Sequence, residues 1–166
     1  EKADLVIVSN AKPRAGVTYH PLFRYEVLAL LARQHPYVHK AYLTAKDFAK
    51  ETLVTYPIPD DRIDVIREVL KPANVDPPRR KTELTVGILQ LVASHRAIAA
   101  MPGWAVQPFL DRDYVASRPI RKNGLFANLY AATTTAQAES VYMSEFLDTM
   151  RRISFASLKG IELVDR

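Results

Sequence analysis

The 166-residue chain contains no cysteine. Disulfide staples, thiolate metal sites and cysteine nucleophiles are thereby excluded, and the absence fits a cytoplasmic protein. Glycine is scarce. Gly16, Gly87, Gly103, Gly124 and Gly160 stand far apart, so no glycine-rich phosphate loop can form. No G-x-S-x-G nucleophile elbow occurs. No run approaches the ~18 consecutive apolar residues of a membrane span, and no secretory leader opens the sequence. The chain enters the apolar run Leu5-Val6-Ile7-Val8 almost at once; so abrupt a start is expected of a fragment. Internal repeats and low-complexity segments are also missing.

What is present is ordinary for a soluble globular protein: 48% hydrophobic and 25% charged residues. The length suffices for one sizeable domain or two small lobes on one chain. Net charge is +5, from 23 Lys plus Arg against 18 Asp plus Glu. The basic residues are scattered, with small clusters at Arg79-Arg80-Lys81, Arg118 with Arg121-Lys122, and Arg151-Arg152. Solvated faces and loop charges account for such a pattern better than a nucleic-acid footprint does.

Chemistry-bearing constellations are few. His35 and His39 have a spacing that could hold a metal on a helix. Pro36 lies between them and disfavours that helix, so they read as exposed turn histidines. The carboxylate pairs Asp60-Asp61 and Asp111 with Asp113 read as caps or turn residues. Neither lies in an apolar setting that would raise a pKa for acid-base work. No catalytic residue, metal site or cofactor is expected.

Periodicity predicts alternating strands and helices. Asp4 to Ser9 reads as a buried strand ended by Asn10, followed by a loop at Ala11 to Gly16. Val17 to Phe23 and Tyr25 to Ala32 read as two strands. Thr44 to Lys50, with Asp47 three residues after Thr44, has a capping-box-like start. Thr52 to Tyr56 is a strand cut off by Pro57 and Pro59. Asp61 to Leu70 is a helix with Ile63, Ile66, Val69 and Leu70 on one face. Arg79 to Leu84 is a strand, Thr85 an N-cap, and Val86 to Ser94 a helix apolar over most of its circumference, hence buried.

Further strands are expected at Ile98 to Met101, Tyr114 to Ala116 and Leu125 to Ala132, and a short helix at Ala105 to Leu110. The last helix, Ser140 to Phe155, has Val141, Phe146, Leu147, Met150 and Ile153 available to one face. The final ten residues should fray. Alternation of this kind is the pattern of parallel, helix-covered sheets.

In open α/β sheets, ligands sit outside the carboxyl ends of strands. The ends here are Ser9-Asn10, Tyr56-Pro57, Glu83 to Thr85 and Met101-Pro102. A helix starting at Thr85 would favour a carboxylate or other anion there. Arg62, in the first turn of its helix, either points to a partner of negative charge or pairs with Asp61 or a neighbouring carboxylate.

The segments "ADLVIVSN", "YEVLALLARQHP", "TAKDFAKETLVTYP", "ILQLVASHRAIAAMPGWAV" and "LYAAT" occur in an order that resembles the effector-binding domains of LysR-type transcriptional regulators, from about Ala3 to Arg152. Segments "PRAGVTYHPLFRYEV", "ETLVTYP", "RIDVIREVLKPANV" and "AAMPGWAV" carry a narrower likeness, to the family's homocysteine-responsive regulators of methionine biosynthesis. The resemblance implies a two-lobed α/β fold of the type II periplasmic-binding-protein kind, with its first lobe incomplete. Residues 1–24 would belong to lobe one and 25–120 to lobe two. Residues 121–156 would return to lobe one, leaving 157–166 as a tail.

The resemblance further implies a homocysteine-like effector held by Ser9, Tyr56, Pro57, Arg62, Thr85, Met101 and Pro102. Met101-Pro102 would form a site wall, with Trp104 as apt for packing as for ligand contact. It implies promoter DNA bound through a helix-turn-helix domain absent from this sequence, a homodimer or homotetramer, a cytoplasmic location and no membrane partner. A solute-binding protein of the same architecture is the alternative. A basic nucleic-acid module follows from charge alone, and an enzyme is more distant. One departure from the family pattern is Ala97, preceded by His95-Arg96, where a glycine often ends the preceding helix. Either that turn is built differently or Ala97 is strained.

Overall fold

The computed structural model describes residues 3–9 and 11–164. The chain divides into two compact units, one of residues Glu1–Tyr25 with Phe126–Arg166 and one of Glu26–Leu125. No helix of the described residues is long and apolar enough to cross a membrane.

In the first unit, strand β1 (Leu5–Val8) runs antiparallel to β7 (Phe126–Thr134), with Leu5 opposite Thr133 and Val8 opposite Tyr130. Next to β7 lies the start of β2 (Val17–Leu31). The expected break between two strands at Phe23 and Tyr25 does not occur. From Phe23 to Ala29, buried and half-buried residues alternate along one continuous strand, as a strand with one apolar face should, and Ala29 to Leu31 are all buried.

Two further expectations for this unit fail. Strand β1 is not buried, because Val6 and Ile7 are exposed on a strand at the sheet's edge. Asn10, expected to end it, lies outside the described residues. The tail is not frayed throughout: β8 (Ile161–Glu162) pairs with Tyr25 and Arg24 of β2. Arg24 reinforces that pairing, with its guanidinium 4.2 Å over the Phe126 ring and 3.6 Å from Glu162.

A short helix α4 (Thr135–Ala138) precedes α5 (Val141–Ser157). Helix α5 buries Met143 and Leu147, whereas Val141, Phe146 and Ile153 are exposed. Of the stripe read from the sequence, Leu147 packs and Met150 is half-buried, and the packed side runs through Met143, one turn before Leu147, rather than through Val141 and Phe146.

The second unit centres on the far end of β2. On one side Val27 to Leu30 pair antiparallel with β5 (Ala99–Pro102); on the other, Leu28 to Leu31 pair antiparallel with β6 (Ala116–Pro119). Beyond β5, Ile98 bridges in parallel to Leu53 of β3 (Leu53–Thr55), and β3 runs parallel to β4 (Arg79–Lys81). The expected all-parallel arrangement is thus limited to this side. Strand β6 starts later than expected and leaves Tyr114 exposed.

Helix α2 (Thr85–Ala93) lays Ile88, Leu89 and Val92 onto a core that includes Leu30, Val54, Ala99, Met101, Val106 and Val115. Helix α1 (Ala45–Phe48) starts at Thr44, whose backbone N–H and hydroxyl both donate to the Asp47 carboxylate, at 2.8 and 3.0 Å. The helix expected over Asp61 to Leu70 is broken. A 3₁₀ turn (Asp60–Arg62) gives way at the extended Ile63, and Ile66–Leu70 is wound as a π-helix. Ile66, Val69 and Leu70 are nevertheless buried, as their spacing requires.

Candidate functional site

Strand β3 delivers Tyr56 beside the first turn of α2. The hydroxyls of Tyr56 and Thr85 lie 2.6 Å apart, within the range of a strong O–H···O bond. Thr85 is not the N-cap expected; Leu84 occupies that place and Thr85 begins the helix. Its hydroxyl is consequently turned toward Tyr56 rather than onto its own backbone. The Tyr56 ring packs against the core that contains Met101.

Met101 is only 4% exposed, so it belongs to the core as much as to any surface. Pro102, at the end of β5, is half-buried and caps helix α3 (Gly103–Leu110). Pro57 and Arg62 are exposed. Tyr56, Pro57, Arg62, Thr85, Met101 and Pro102 belong to the second unit, and Ser9, also exposed, to the first.

Arg62 makes no ion pair among the described residues. The Asp60, Asp64, Glu68 and Asp76 carboxylates are held by other arginines. Arg79 contacts Asp60 at 2.6 Å and Asp76 at 3.0 Å. Arg67 reaches Asp64, Glu68 and the Asp61 carbonyl. The hydrogen bond from Arg79 holds the Asp60 carboxyl below its ordinary range, outweighing partial burial. Pairing of Arg62 with Asp61 or a neighbouring carboxylate is therefore not what the structure shows.

Three features near this region escaped the sequence reading. The Thr55 side chain is buried next to Tyr56 in sequence, and its hydroxyl has no hydrogen-bond partner among the described residues. Thr82 donates its backbone N–H to the Thr55 carbonyl at 3.0 Å. Its hydroxyl stands 2.9 Å from where a side-chain carbon on Gly87 would begin. A glycine inside a helix is the one signal that could have revealed that close approach.

His35 corrects the reading of exposed turn histidines, since it is 2% exposed. The α2 terminus also resolves the Ala97 question. His95 takes the left-handed conformation, φ 59°. Its N–H bonds the Val92 carbonyl, while Arg96 N–H bonds Leu91, both at 3.0 Å. This is a Schellman motif with histidine where glycine is usual, and Ala97 lies outside the left-handed position.

The family model described as LysR substrate binding domain matches residues 1–153. The chain belongs to that family. LysR-family proteins similar to it include the HTH-type transcriptional regulator MetR of Haemophilus influenzae, 42% identical over 164 residues, which are 99% of this chain and 53% of that protein. MetR of Escherichia coli K12 is 35% identical over 98% of this chain and 51% of its own length. The chain thus spans about half the length of these relatives, which are regulators rather than enzymes.

Among solved structures, the regulatory domain of MetR from N. meningitidis is 45% identical. It superposes with a TM-score of 0.91 over 98% of this chain and 78% of that one. The reduced form of OxyR from N. meningitidis, 16% identical with a TM-score of 0.79 over 98% of this chain and 76% of that one, shares the fold alone. The chain is accordingly a MetR-like effector-binding domain with the mixed α/β, type II periplasmic-binding-protein-like fold of LysR regulatory domains.

Proposed function

We propose that this domain senses homocysteine, or a closely related amino acid, for a LysR-type regulator of methionine biosynthesis. The observation that carries the reading is identity of 42–45% to MetR proteins across nearly the whole chain. In this reading the effector engages Ser9, Tyr56, Pro57, Arg62, Thr85, Met101 and Pro102. The unit of Glu26–Leu125 serves as lobe two, and the other unit serves as part of lobe one.

The chemistry follows from the ligand's charges. An amino-acid carboxylate suits the first turn of α2 at Thr85, where backbone N–H groups and the helix dipole favour an anion. Arg62 supplies a cation with no ion-pair partner among the described residues. The ammonium group suits Glu83 or strand-end carbonyls, and a thiol-bearing side chain suits the apolar edge formed by Pro102 over Met101. Binding changes promoter occupancy only if the ligand prefers one arrangement of the regulator over another. The DNA contact belongs to a helix-turn-helix domain outside this sequence. The regulator works in the cytoplasm as a homodimer or homotetramer.

Isothermal titration with millimolar homocysteine, beside methionine and homoserine, tests the ligand. Saturable heat with homocysteine, weakened by Arg62→Ala or Thr85→Ala, is expected. A complete, folded domain giving no heat would remove the effector assignment and leave the family membership standing.

A further inference from the structure

A second polar constellation lies in the unit Glu26–Leu125, apart from the residues assigned to the effector. The chain leaves β2 at Leu31 and enters a 3₁₀ turn at Pro36–His39, with His35 in the N-cap position. The imidazole Nδ1 of His35 accepts the Tyr37 N–H at 3.1 Å. A ring nitrogen can accept only while unprotonated. The ring therefore carries its proton on Nε2, which lies 3.2 Å from Glu51 Oε1 without the alignment of a hydrogen bond. The ring also lies against Tyr37 and against His95 at the end of α2, with centroids 4.6 and 4.7 Å apart.

The turn that His35 caps is a junction. Arg118 of β6 donates to the Lys40 carbonyl at 2.9 Å and to the Val38 carbonyl. Lys40 reaches the Asp47 carboxylate of α1 at 2.7 Å, and its ammonium lies 5.1 Å over the Tyr37 ring. These contacts tie the end of β2 to β6, α1 and the α2 terminus.

We infer that His35 is an acid-sensitive latch, whose neutral ring caps the Pro36–His39 turn and whose protonation releases it. The proton added to Nδ1 would point a donor at the Tyr37 N–H, another donor, so the cap bond cannot survive. The new charge would also meet two opposing neighbours. Glu51 favours it, and His95 disfavours it whenever that ring is itself charged. Burial decides the balance in favour of the neutral ring and lowers the pKa from its ordinary value. Protonation therefore has to be driven by acid below the ordinary imidazole range, and it carries the loss of the cap with it.

Amide hydrogen exchange on this protein between pH 7.5 and 5.0, corrected for intrinsic rates, tests the latch. Protection at Tyr37 and Lys40 should fall at least roughly fivefold, the scale of one lost helix cap. Amides of Leu30 and Ile98 in the sheet should keep their protection. His35→Asn retains a side-chain acceptor that does not titrate, so its protection at Tyr37 should be independent of pH. A flat profile in the parent protein, carried to a pH at which nitrogen-15 shifts show the His35 ring charged, overturns the latch. An undiminished fall in His35→Asn also overturns it, by assigning the effect to another group. Nitrogen-15 shifts of the parent's imidazole provide a check independent of any variant. They should report the Nε2–H tautomer at pH 7.5, and finding the proton on Nδ1 would refute the inference.

Discussion

The Tyr56 and Thr85 hydroxyls meet at 2.6 Å, tying the end of β3 to the first turn of α2. Tyr56→Phe removes this bond and keeps the ring packed on the core. A net loss of about 1 kcal/mol in unfolding free energy is expected. Urea denaturation should show a lower midpoint at an unchanged slope. An unaltered midpoint would mean that water replaces the Tyr56 hydroxyl without cost.

Asp47 accepts from the Thr44 N–H, the Thr44 hydroxyl and the Lys40 ammonium. Burial pushes its pKa up, but these bonds outweigh burial and hold the carboxyl below the ordinary value. The folded pKa is depressed, so the stabilisation is present above about pH 3.9 and is lost as pH falls through the lower folded value. Asp47→Ala should cost about 1–2 kcal/mol at pH 7 by urea denaturation. The difference between parent and variant should shrink as the solution is acidified below pH 3.9. A difference independent of pH would show that the carboxylate's charge contributes nothing.

His35 and His20 both have pKa values lowered first by burial; His95 adds to the effect at His35, and Arg151 at His20. Their stabilisation is present above the unfolded value of about 6.5. Below it the unfolded chain takes up protons that the folded chain resists, so stability falls with falling pH until the folded values are passed. Thermal denaturation from pH 7.5 to 5.0 should show a declining midpoint. In a variant carrying His35→Asn and His20→Asn the decline should be smaller.

His95 holds a left-handed backbone, φ 59°, that only glycine adopts without cost. His95→Gly should be more stable than His95→Ala by about 1 kcal/mol, because both lose the ring contact with His35 but only alanine keeps the left-handed strain. Urea midpoints of the two variants measure the difference directly. Equal midpoints would show that the Schellman turn relaxes when the ring is removed.

Several elements were legible because their signals are local. The Thr44–Asp47 start of α1 needs only residues within one turn. The buried face of α2 and the burial of Ile66, Val69 and Leu70 follow from spacing along the chain. Tyr56 and Thr85 were both named as site residues from their places at element ends, without any indication that their hydroxyls meet. Other features depended on partners far away in sequence. Val17–Leu31 became one strand because β5, β6 and β8 each pair with part of it. The same partners made most of the pairing antiparallel, which alternation along the chain does not encode.

The amino-acid order by itself determined where the clearest elements lie, α1 and α2 among them, the absence of thiol chemistry, and membership of the LysR family, because propensity, composition and ordered similarity are properties of the chain. Tertiary structure alone decided that α5 packs through Met143 and Leu147 rather than Val141 and Phe146. It also buried His35 against Glu51 and His95 and left Arg62 without an ion pair among the described residues. Burial and pairing are set by whatever lies across the fold, and a residue's neighbours in space are not those in its sequence.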